Sequence, residues 1–295
     1  MRTTAVVEIG ARSRATDYVA LAKPRLNVLV VASTVAGYAM AHGNTGDIAT
    51  LGSTVIGTAL VAGGASAINQ VIEREPDGLM RRTRLRPLPD GRLGTAEALA
   101  FAGIISALGL LTLATAVNVL SALVALATLV SYAVIYTPLK RRTSFSTVIG
   151  AIPGALPPVI GWAAADDALS QGAWVLFAIV FLWQLPHFLA IAWMYREDYA
   201  RAGFPMLPVV EPDGHSTARQ AVVYTAALLP VALAPTLVGM SGRLYFGAAL
   251  AITLIFLGVS IRFALTRAVR DARRLFLASI IYLPILWAMM IVDRT

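Results

Sequence analysis

Residues 51–77 read LGSTVIGTALVAGGASAINQVIEREPD, an apolar run that ends in a cluster of polar and charged side chains. The first 20 of these residues form a run that is long and apolar enough to cross a membrane as one helix. Polar groups at membrane depth are costly, so their presence indicates a function. This segment therefore predicts a spanning helix that carries a candidate site at its end.

The composition of the whole chain extends this interpretation. Of its 295 residues, 58% are hydrophobic and 14% are charged, whereas soluble domains have about 25% charged residues. A soluble globular protein and a disordered protein are both excluded. The chain has no cysteine and three histidines, so disulfides and thiol chemistry are excluded and a multi-histidine metal centre has little support.

Nine runs are long enough to span a membrane. They lie at about 26–42, 51–70, 96–114, 117–136, 147–165, 172–194, 220–240, 244–262 and 275–292. The predicted fold is an all-α integral membrane protein with nine transmembrane helices in one domain, residues 1–295. Residues 1–24 are expected to form an N-terminal arm.

The basic residues indicate how the spans are oriented. Of the 24 Lys and Arg residues, 22 lie before the first span, in residues 1–25, or in loops 71–95, 137–146, 195–219 and 262–274. The opposite side has only Arg243 and Arg294. Because positive loops stay in the cytoplasm, we expect a multi-pass protein of the cell (inner) membrane with its N-terminus cytoplasmic and its C-terminus outside. This distribution also explains the net charge of +8 without a nucleic-acid partner.

The loops suggest an internal repeat. Pro-Asp-Gly followed by Thr-Ala occurs in both long cytoplasmic loops, at 89–96 and at 212–218. The loops also alternate long and short in the same order. We therefore predict two related four-helix halves, 51–165 and 172–292, with one extra N-terminal span. Pro-Asp-Gly is a common turn, so the motif alone also fits two unrelated turns.

Three oxygen-bearing side chains follow the helical spacing i, i+4, i+8 at the end of the second span: Asn69, Glu73 and Asp77. Such a face suits Mg²⁺, which takes one or two carboxylates and lets phosphates and water complete its shell. Pro76 should break or kink the helix before Asp77. The alternative is a solvated helix end, which we prefer for Glu75.

Two basic segments lie near these acids. One is Arg81-Arg82-Thr83-Arg84-Leu85-Arg86, and the other is Lys140-Arg141-Arg142 after the fourth span. Guanidinium groups bind phosphate bidentately, so these segments can hold a polyanion such as a diphosphate leaving group. Plain positive-inside loops would give the same charges.

The fifth and sixth spans carry unusual residues for the membrane. The fifth contains Gly150, Pro153, Gly154, Pro157, Pro158 and Gly161, which predicts a kinked helix, close helix packing, or both. In the sixth, His187 lies among aromatic residues, and Asp198 closes this span as Glu73 and Asp77 close the second. A lone histidine is usually a buried structural group, and that alternative stays open.

At these residues the chain resembles the UbiA-type intramembrane prenyltransferases, and among them the branch that acts on haem. The similar segments cover nearly the whole chain: 17–25, 69–77, 82–88, 136–143, 154–161, 186–188, 198–208 and 275–284. Residues 186–208 favour the haem branch. Five positions depart from the pattern. Glu73 replaces the Asp of many members and keeps its chemistry, and Pro76 and Gly78 are unusual within the first motif. Ser146 replaces an expected Asn, and Ala202 replaces the second acid of the second motif.

The resemblance implies that farnesyl diphosphate alkylates a vinyl group of haem b, with water added, giving haem o and pyrophosphate. It implies Mg²⁺ held by Glu73, Asp77 and Asp198, with Asn69 and Lys140 as further catalytic residues. It also implies substrate contacts from Arg82, Arg84, Tyr136, Arg141, His187 and Tyr199. Membrane lipid would border the farnesyl tail, and a haem-a-forming enzyme would take the product.

Three other functions remain open from the sequence. The first is a UbiA-type enzyme that prenylates an aromatic acid in quinone biosynthesis. The second is a non-catalytic haem-handling factor, which would not need the acids. The third is a secondary transporter, which would place its ionisable groups near the middle of the membrane.

Overall fold

The computed structural model describes residues 13–42 and 47–295, so the first half of the predicted N-terminal arm lies outside the described residues. The helices of the described part are α1 (Arg14–Ala22), α2 (Pro24–His42), α3 (Ile48–Ile72), α4 (Arg74–Leu79), α5 (Thr95–Ala116), α6 (Val119–Val130), α7 (Thr137–Leu139), α8 (Ser146–Ala155), α9 (Pro157–Asp166), α10 (Gln171–Met194), α11 (Arg196–Arg201), α12 (Leu207–Val210), α13 (His215–Leu237), α14 (Arg243–Thr266) and α15 (Val269–Val292). A π-helical segment, Ser131–Tyr136, joins α6 to α7.

The all-α prediction is confirmed, and the described residues hold eight spans, or nine when one bent pair of helices is counted as a span. Eight helical segments of the described residues are long and apolar enough to cross a membrane, and α1 with α2, bent by 42°, makes the ninth. The last span begins at Val269 rather than at 275. Its first turn is charged but still helical, because Asp271 accepts hydrogen bonds from Arg274 (2.6 Å) and Arg262 (3.1 Å).

The helix break predicted before Asp77 is also confirmed. Helix α3 ends at Ile72, and Glu73 (φ −93°, ψ 11°) separates it from α4. In a continuous helix the Pro76 ring would clash with the carbonyl of Ile72. After the break, Pro76 lies in the first turn of α4, where its missing N–H removes no helical hydrogen bond.

Helix α10 ends in the same way without a proline after it. Tyr195 (φ −112°, ψ 21°) separates α10 from α11, and α4 and α11 are both six residues long. The Arg196 side chain caps α10, since its Nη1 donates to the Trp193 carbonyl at 3.0 Å. This likeness fits two related halves, which remain a prediction.

The fifth span is both interrupted and closely packed, the two features that its glycines and prolines predicted. It is broken at Leu156 into α8 and α9, and it packs closely on α2. A Cβ on Gly37 would lie 1.9 Å from the Pro158 carbonyl oxygen, and one on Gly161 would lie 1.8 Å from that of Thr34. Only glycine permits backbones to approach this closely.

Helix α10 lies at the centre of the bundle, against α8, α13 and α15. Its Leu176, Ile179 and Leu185 side chains are fully buried. By contrast, α5 exposes a row of large apolar side chains, including Ile104, Leu108 and Leu111. An apolar outer surface of this kind is suited to lipid, so the chain is a multi-span membrane protein.

Candidate active site

A cavity of about 290 Å³ lies where α3 and α10 end. Three short or irregular segments complete its wall, namely the 80–86 turn, the π-helical segment with α7, and the stretch after α11. The lining residues are Lys23, Leu26, Asn69, Glu73, Asp77, Met80, Arg82, Arg86, Tyr132, Tyr136, Lys140, Thr147, His187, Phe188, Ile191, Ala192, Tyr199 and Met206. The cavity therefore collects most of the predicted site residues.

The two acids of the first motif face this cavity, and each is paired with a cation. Lys140 Nζ lies 2.7 Å from Glu73 Oε1, and Arg86 Nη1 donates to Asp77 Oδ2 at 2.6 Å. Both carboxylates are almost completely buried. Asp77 Oδ1 has no hydrogen-bond partner in the described structure, although it is buried. Buried oxygens without a partner are rare, so this atom is a candidate ligand.

Asn69 lies on the same helix face, and both polar atoms of its side-chain amide form hydrogen bonds. Its Oδ1 accepts from Lys23 Nζ at 3.2 Å, and its Nδ2 donates to Thr137 Oγ1 at 3.3 Å. Lys23 occupies the bend between α1 and α2 with φ 48°, and it has no acidic partner among the ion pairs of residues 13–42 and 47–295. It therefore adds a half-buried amine to the site.

Lys140 combines charge pairing with aromatic contacts. Its Nζ lies 5.6 Å from the Tyr136 ring centroid and 5.1 Å from that of Phe204. Burial opposes the positive charge, but the adjacent Glu73 carboxylate stabilises it and the pKa of Lys140 is raised above its ordinary value. The amine therefore stays charged throughout the physiological pH range.

The arginine run divides between the cavity and the surface. Arg82 lies over the rings of Tyr195 and Tyr199, at 5.1 and 4.9 Å from their centroids. Arg84 and Arg141, also predicted to contact substrate, are exposed and do not line the cavity. Backbone hydrogen bonds from Arg84 N and Arg86 N shape the 80–86 turn, which brings Arg82 and Arg86 to the cavity but not Arg84. Arg86 is partly buried there.

Tyr136 enters the cavity from the π-helical segment. A π-bulge shifts the register of a helix by one residue, and such bulges are frequent at functional sites. The Tyr136 ring packs against Gly150, where a Cβ would lie 2.4 Å from the ring. Tyr132 lines the cavity from the preceding turn and lies 5.4 Å from Tyr136, centroid to centroid.

His187 lines the far wall of the cavity. Its ring lies between those of Trp183 (5.5 Å between centroids) and Phe276 (5.0 Å). Its Nδ1 is 2.7 Å from Ser279 Oγ. The histidine is thus held by packing and by one hydrogen bond, with part of its ring at the cavity.

Asp198 does not join Glu73 and Asp77. It lines a neighbouring cleft of about 300 Å³, pairs with Arg201 and accepts a hydrogen bond from the Arg81 amide at 3.4 Å. Within residues 13–42 and 47–295, no three acidic, histidine or cysteine side chains lie close enough to bind one metal ion.

Two of the departures from the family pattern, Ser146 and Ala202, are buried. Ser146 is fully buried with no hydrogen-bond partner for its Oγ, and its neighbour Thr147 lines the cavity. Ala202 belongs to an apolar cluster with Met80 and Phe204. An acid at position 202 would disrupt this apolar cluster. Of the two acids expected in the second motif, this chain therefore keeps only Asp198.

An apolar cavity of about 300 Å³ adjoins the polar one. The two share the lining residues Lys23, Leu26, Tyr132, Tyr136 and Phe188. Its remaining wall consists of small and apolar residues: Asn27, Val30, Ala62, Ala65, Ser66, Thr128, Gly150, Pro153, Gly154 and Pro157. Together the cavities suit a molecule with a polyanionic head and an apolar tail.

Sequence inspection missed Lys23 and Arg86 as site residues. The signal for Lys23 was its rarity, because the chain has only two lysines and both line this cavity. Arg86 gave no separate signal within its run. The acids of the site lie at helix ends rather than at mid-span, which disfavours the transporter interpretation.

Comparison with known proteins agrees with this geometry. The UbiA prenyltransferase family model matches residues 30–283. A protoheme IX farnesyltransferase of Solibacter usitatus is 52% identical over 94% of this chain and 98% of its own length. One of Koribacter versatilis is 46% identical over 99% and 97% of the two chains.

Solved structures with the same fold are more distant in sequence. A digeranylgeranylglyceryl phosphate synthase structure superposes with a TM-score of 0.79 at 17% identity, covering 95% of this chain and 98% of the other. A UbiA homolog from Archaeoglobus fulgidus, bound to GPP and Mg²⁺, superposes with a TM-score of 0.68 at 17% identity, covering 93% and 99%. At this identity the likeness establishes the fold.

Proposed function

Because the chain belongs to the UbiA prenyltransferase family, we propose that its cavity transfers a farnesyl group from farnesyl diphosphate to a vinyl group of haem b. Water is added, and the products are haem o and pyrophosphate. The protein is a prenyltransferase, and the relatives named above transfer a farnesyl group to protoheme IX by name. One observation carries the proposal: a cation-rich cavity continues into an apolar one.

The ion pairs of the cavity prepare it for a diphosphate. Lys140 and Arg86 now neutralise Glu73 and Asp77. On substrate binding these two cations can move to phosphate oxygens, and the carboxylates are then free for a metal ion. Arg82 adds a further positive charge, and the Lys23 amine adds a hydrogen-bond donor. Together these groups stabilise the negative charge that develops as the allylic C–O bond breaks.

The donor set fits Mg²⁺. Asp77 offers a buried oxygen without a partner, Glu73 offers a second carboxylate, and Asn69 can orient a phosphate or a metal-bound water. A bound Mg²⁺ supplies charge neutralisation on the diphosphate. Asp198, in the neighbouring cleft, keeps a proposed role at the edge of the site.

The reaction breaks the bond between C1 of the farnesyl group and its diphosphate oxygen. The aromatic faces of Tyr132, Tyr136 and Phe188 border the cavity where the allylic cation would form, and such faces stabilise cations. The terminal vinyl carbon of haem b then bonds to C1. The charge left on the inner vinyl carbon is removed when a water oxygen adds, and its proton passes to pyrophosphate or solvent.

We also propose where the site lies in the cell. The basic loops support a position of α4 and α11 at the cytoplasmic face of the cell membrane. The apolar cavity would hold the farnesyl tail next to lipid. Haem o would then pass to a haem-a-forming enzyme in the same membrane.

The test is product formation by purified protein with haem b, farnesyl diphosphate and Mg²⁺, followed by mass spectrometry. We expect farnesylated haem from the wild type, its loss with Glu73→Gln, and its retention with Glu75→Gln, whose side chain is exposed. Chelation should abolish it. Product from a phenolic acid but not from haem b would favour the quinone-type enzyme. Product formed equally by Glu73→Gln would contradict the proposed site.

A further inference from the structure

The hydrogen bonds around His187 determine which ring nitrogen carries the proton. Nδ1 lies 2.7 Å from Ser279 Oγ, and Ser279 Oγ lies 2.6 Å from the Phe276 carbonyl oxygen. A carbonyl can only accept, and a serine hydroxyl has one hydrogen to donate. Ser279 therefore donates to Phe276, and His187 Nδ1 must donate to Ser279. Nε2 is then unprotonated and carries a lone pair.

The serine is fixed in the position that this arrangement needs. Ser279 is fully buried in α15, and its own carbonyl accepts a hydrogen bond from Trp183 Nε1 at 2.9 Å. The same Trp183 ring stacks on the imidazole. Trp183 and Ser279 thus hold the histidine from two helices, α10 and α15, and its ring has little freedom to turn.

The ring has one edge toward Ser279 and an opposite edge that carries the free nitrogen. His187 lines the polar cavity, whereas Ser279 does not, and from this we infer that the edge opposite Nδ1 is the one nearer the cavity. Within the described residues the ring makes no other hydrogen bond. The imidazole therefore offers one lone pair to whatever occupies the cavity.

We propose that Ser279 is a positioning residue that holds His187 in its Nδ1–H form, so that Nε2 ligates the iron of the haem acceptor. This rests on the proposed function, since the iron belongs to the substrate. Histidines that bind metals nearly always donate their other N–H to an oxygen acceptor, which fixes the ring and makes the ligand more basic. Histidine is a frequent axial ligand of haem iron. Ligation would limit the orientations in which the porphyrin presents its vinyl groups.

The experiment compares full-length wild type, His187→Ala, Ser279→Ala and Ser279→Thr in detergent or nanodiscs. Ser260→Ala is the matched control, because Ser260 is an equally buried helical serine that bonds to Thr225. Haem b is titrated into each, and the iron–histidine stretch of the ferrous complex is recorded by resonance Raman spectroscopy. Thermal unfolding of each variant shows whether it is folded.

We expect an iron–histidine stretch in the wild type that His187→Ala lacks. Ser279→Ala should weaken haem binding by about tenfold and shift this stretch to lower frequency, because the ligand loses its hydrogen-bond acceptor. Ser279→Thr should restore both, and Ser260→Ala should change neither. The KM for farnesyl diphosphate should stay the same in Ser279→Ala.

Two results would overturn the inference. An unchanged stretch in His187→Ala would exclude this ligand, and an unchanged stretch in Ser279→Ala would exclude the positioning role. If His187→Ala does not fold, His187→Gly with added imidazole is the second test, and failure of imidazole to restore the ligand signal counts against the inference. No haem binding by the wild type at all would instead overturn the proposed function, and this inference with it.

Discussion

The ends of α3 and α10 have the same backbone form but carry different chemistry. Each long helix stops, one residue separates it from a six-residue helix, and a buried acid follows. At the end of α3, which we call the first end, Glu73 is the residue at the break and Asp77 lies four residues beyond it. The second end has Tyr195 and Tyr199 at the corresponding places.

The difference shows two ways of holding a cation. At the first end, carboxylates pair with Lys140 and Arg86 and cancel their charge. At the second end, two tyrosine rings lie against Arg82 and leave its charge uncancelled. An aromatic face attracts a cation without neutralising it. The second end can therefore offer a positive charge to an anionic substrate, while the first end can offer oxygens to a metal.

The largest effect is expected from the two buried acids. Asp77→Asn removes a negative charge from the lining of the polar cavity, so we expect kcat to fall by about 10²-fold or more. Asp198→Asn lies in the neighbouring cleft and should cost clearly less. Steady-state kinetics with varied Mg²⁺ would measure both. Equal losses would mean that the two ends act as one metal site in the working enzyme.

The next effect concerns the partner of Glu73. Lys140→Met would leave that carboxylate buried without its cation, which typically costs about 3–5 kcal/mol of stability. We expect a lower unfolding temperature as well as lost transfer activity. Lys140→Arg should recover most of the stability, since it keeps the charge. If Lys140→Met unfolded like the wild type, Glu73 would have to be solvated or protonated.

A smaller effect is expected at the second end. Arg82→Gln should raise the KM for farnesyl diphosphate by about tenfold, because one uncancelled charge is worth about 1–2 kcal/mol at a partly exposed site. Arg84→Gln is the control, since Arg84 is exposed and lies outside the cavity. Matching KM values for the two variants would place the diphosphate elsewhere.

Loss of the side chain that caps the end of α10 should lower stability slightly and leave turnover almost unchanged. Arg196→Ala removes the hydrogen bond to the Trp193 carbonyl and the contact with its ring, at 4.6 Å from the centroid. We expect about 1 kcal/mol lower stability and turnover within twofold of the wild type. Thermal unfolding and turnover should be measured together, and a large loss of turnover would show that this cap positions Tyr195 and Tyr199.

The last prediction is the absence of a pH effect. The pKa of Lys140 is raised by Glu73, so the stabilisation from this pair is complete below the ordinary lysine pKa of about 10.4 and is lost only above it. Turnover should therefore show no decline attributable to Lys140 between pH 7 and 10. The pH–rate profiles of wild type and Lys140→Arg should coincide in this range, and a divergence would contradict the pairing.

Much of the fold followed from local features of the chain. The spans follow from apolar length, and the α3 break follows from Pro76, whose ring excludes a continuous helix whatever surrounds it. The site was also predictable where one helix face supplied it, as for Asn69, Glu73 and Asp77. These features depend on residues a few positions apart, which a sequence displays directly.

The rest depended on contacts between distant parts of the chain. The 80–86 turn brings Arg82 and Arg86, but not Arg84, to the cavity, and Asp198 lies in a separate cleft from the other acids. Lys23 reaches Asn69 across 46 positions, and Ser279 reaches His187 across 92. The sequence alone determined the membrane spans, their charge asymmetry and the oxygen-rich face of α3, because these arise from burial in lipid and helical spacing. Only the tertiary structure decided which cation meets which acid and which nitrogen of His187 is free, because those depend on how separate helices approach each other.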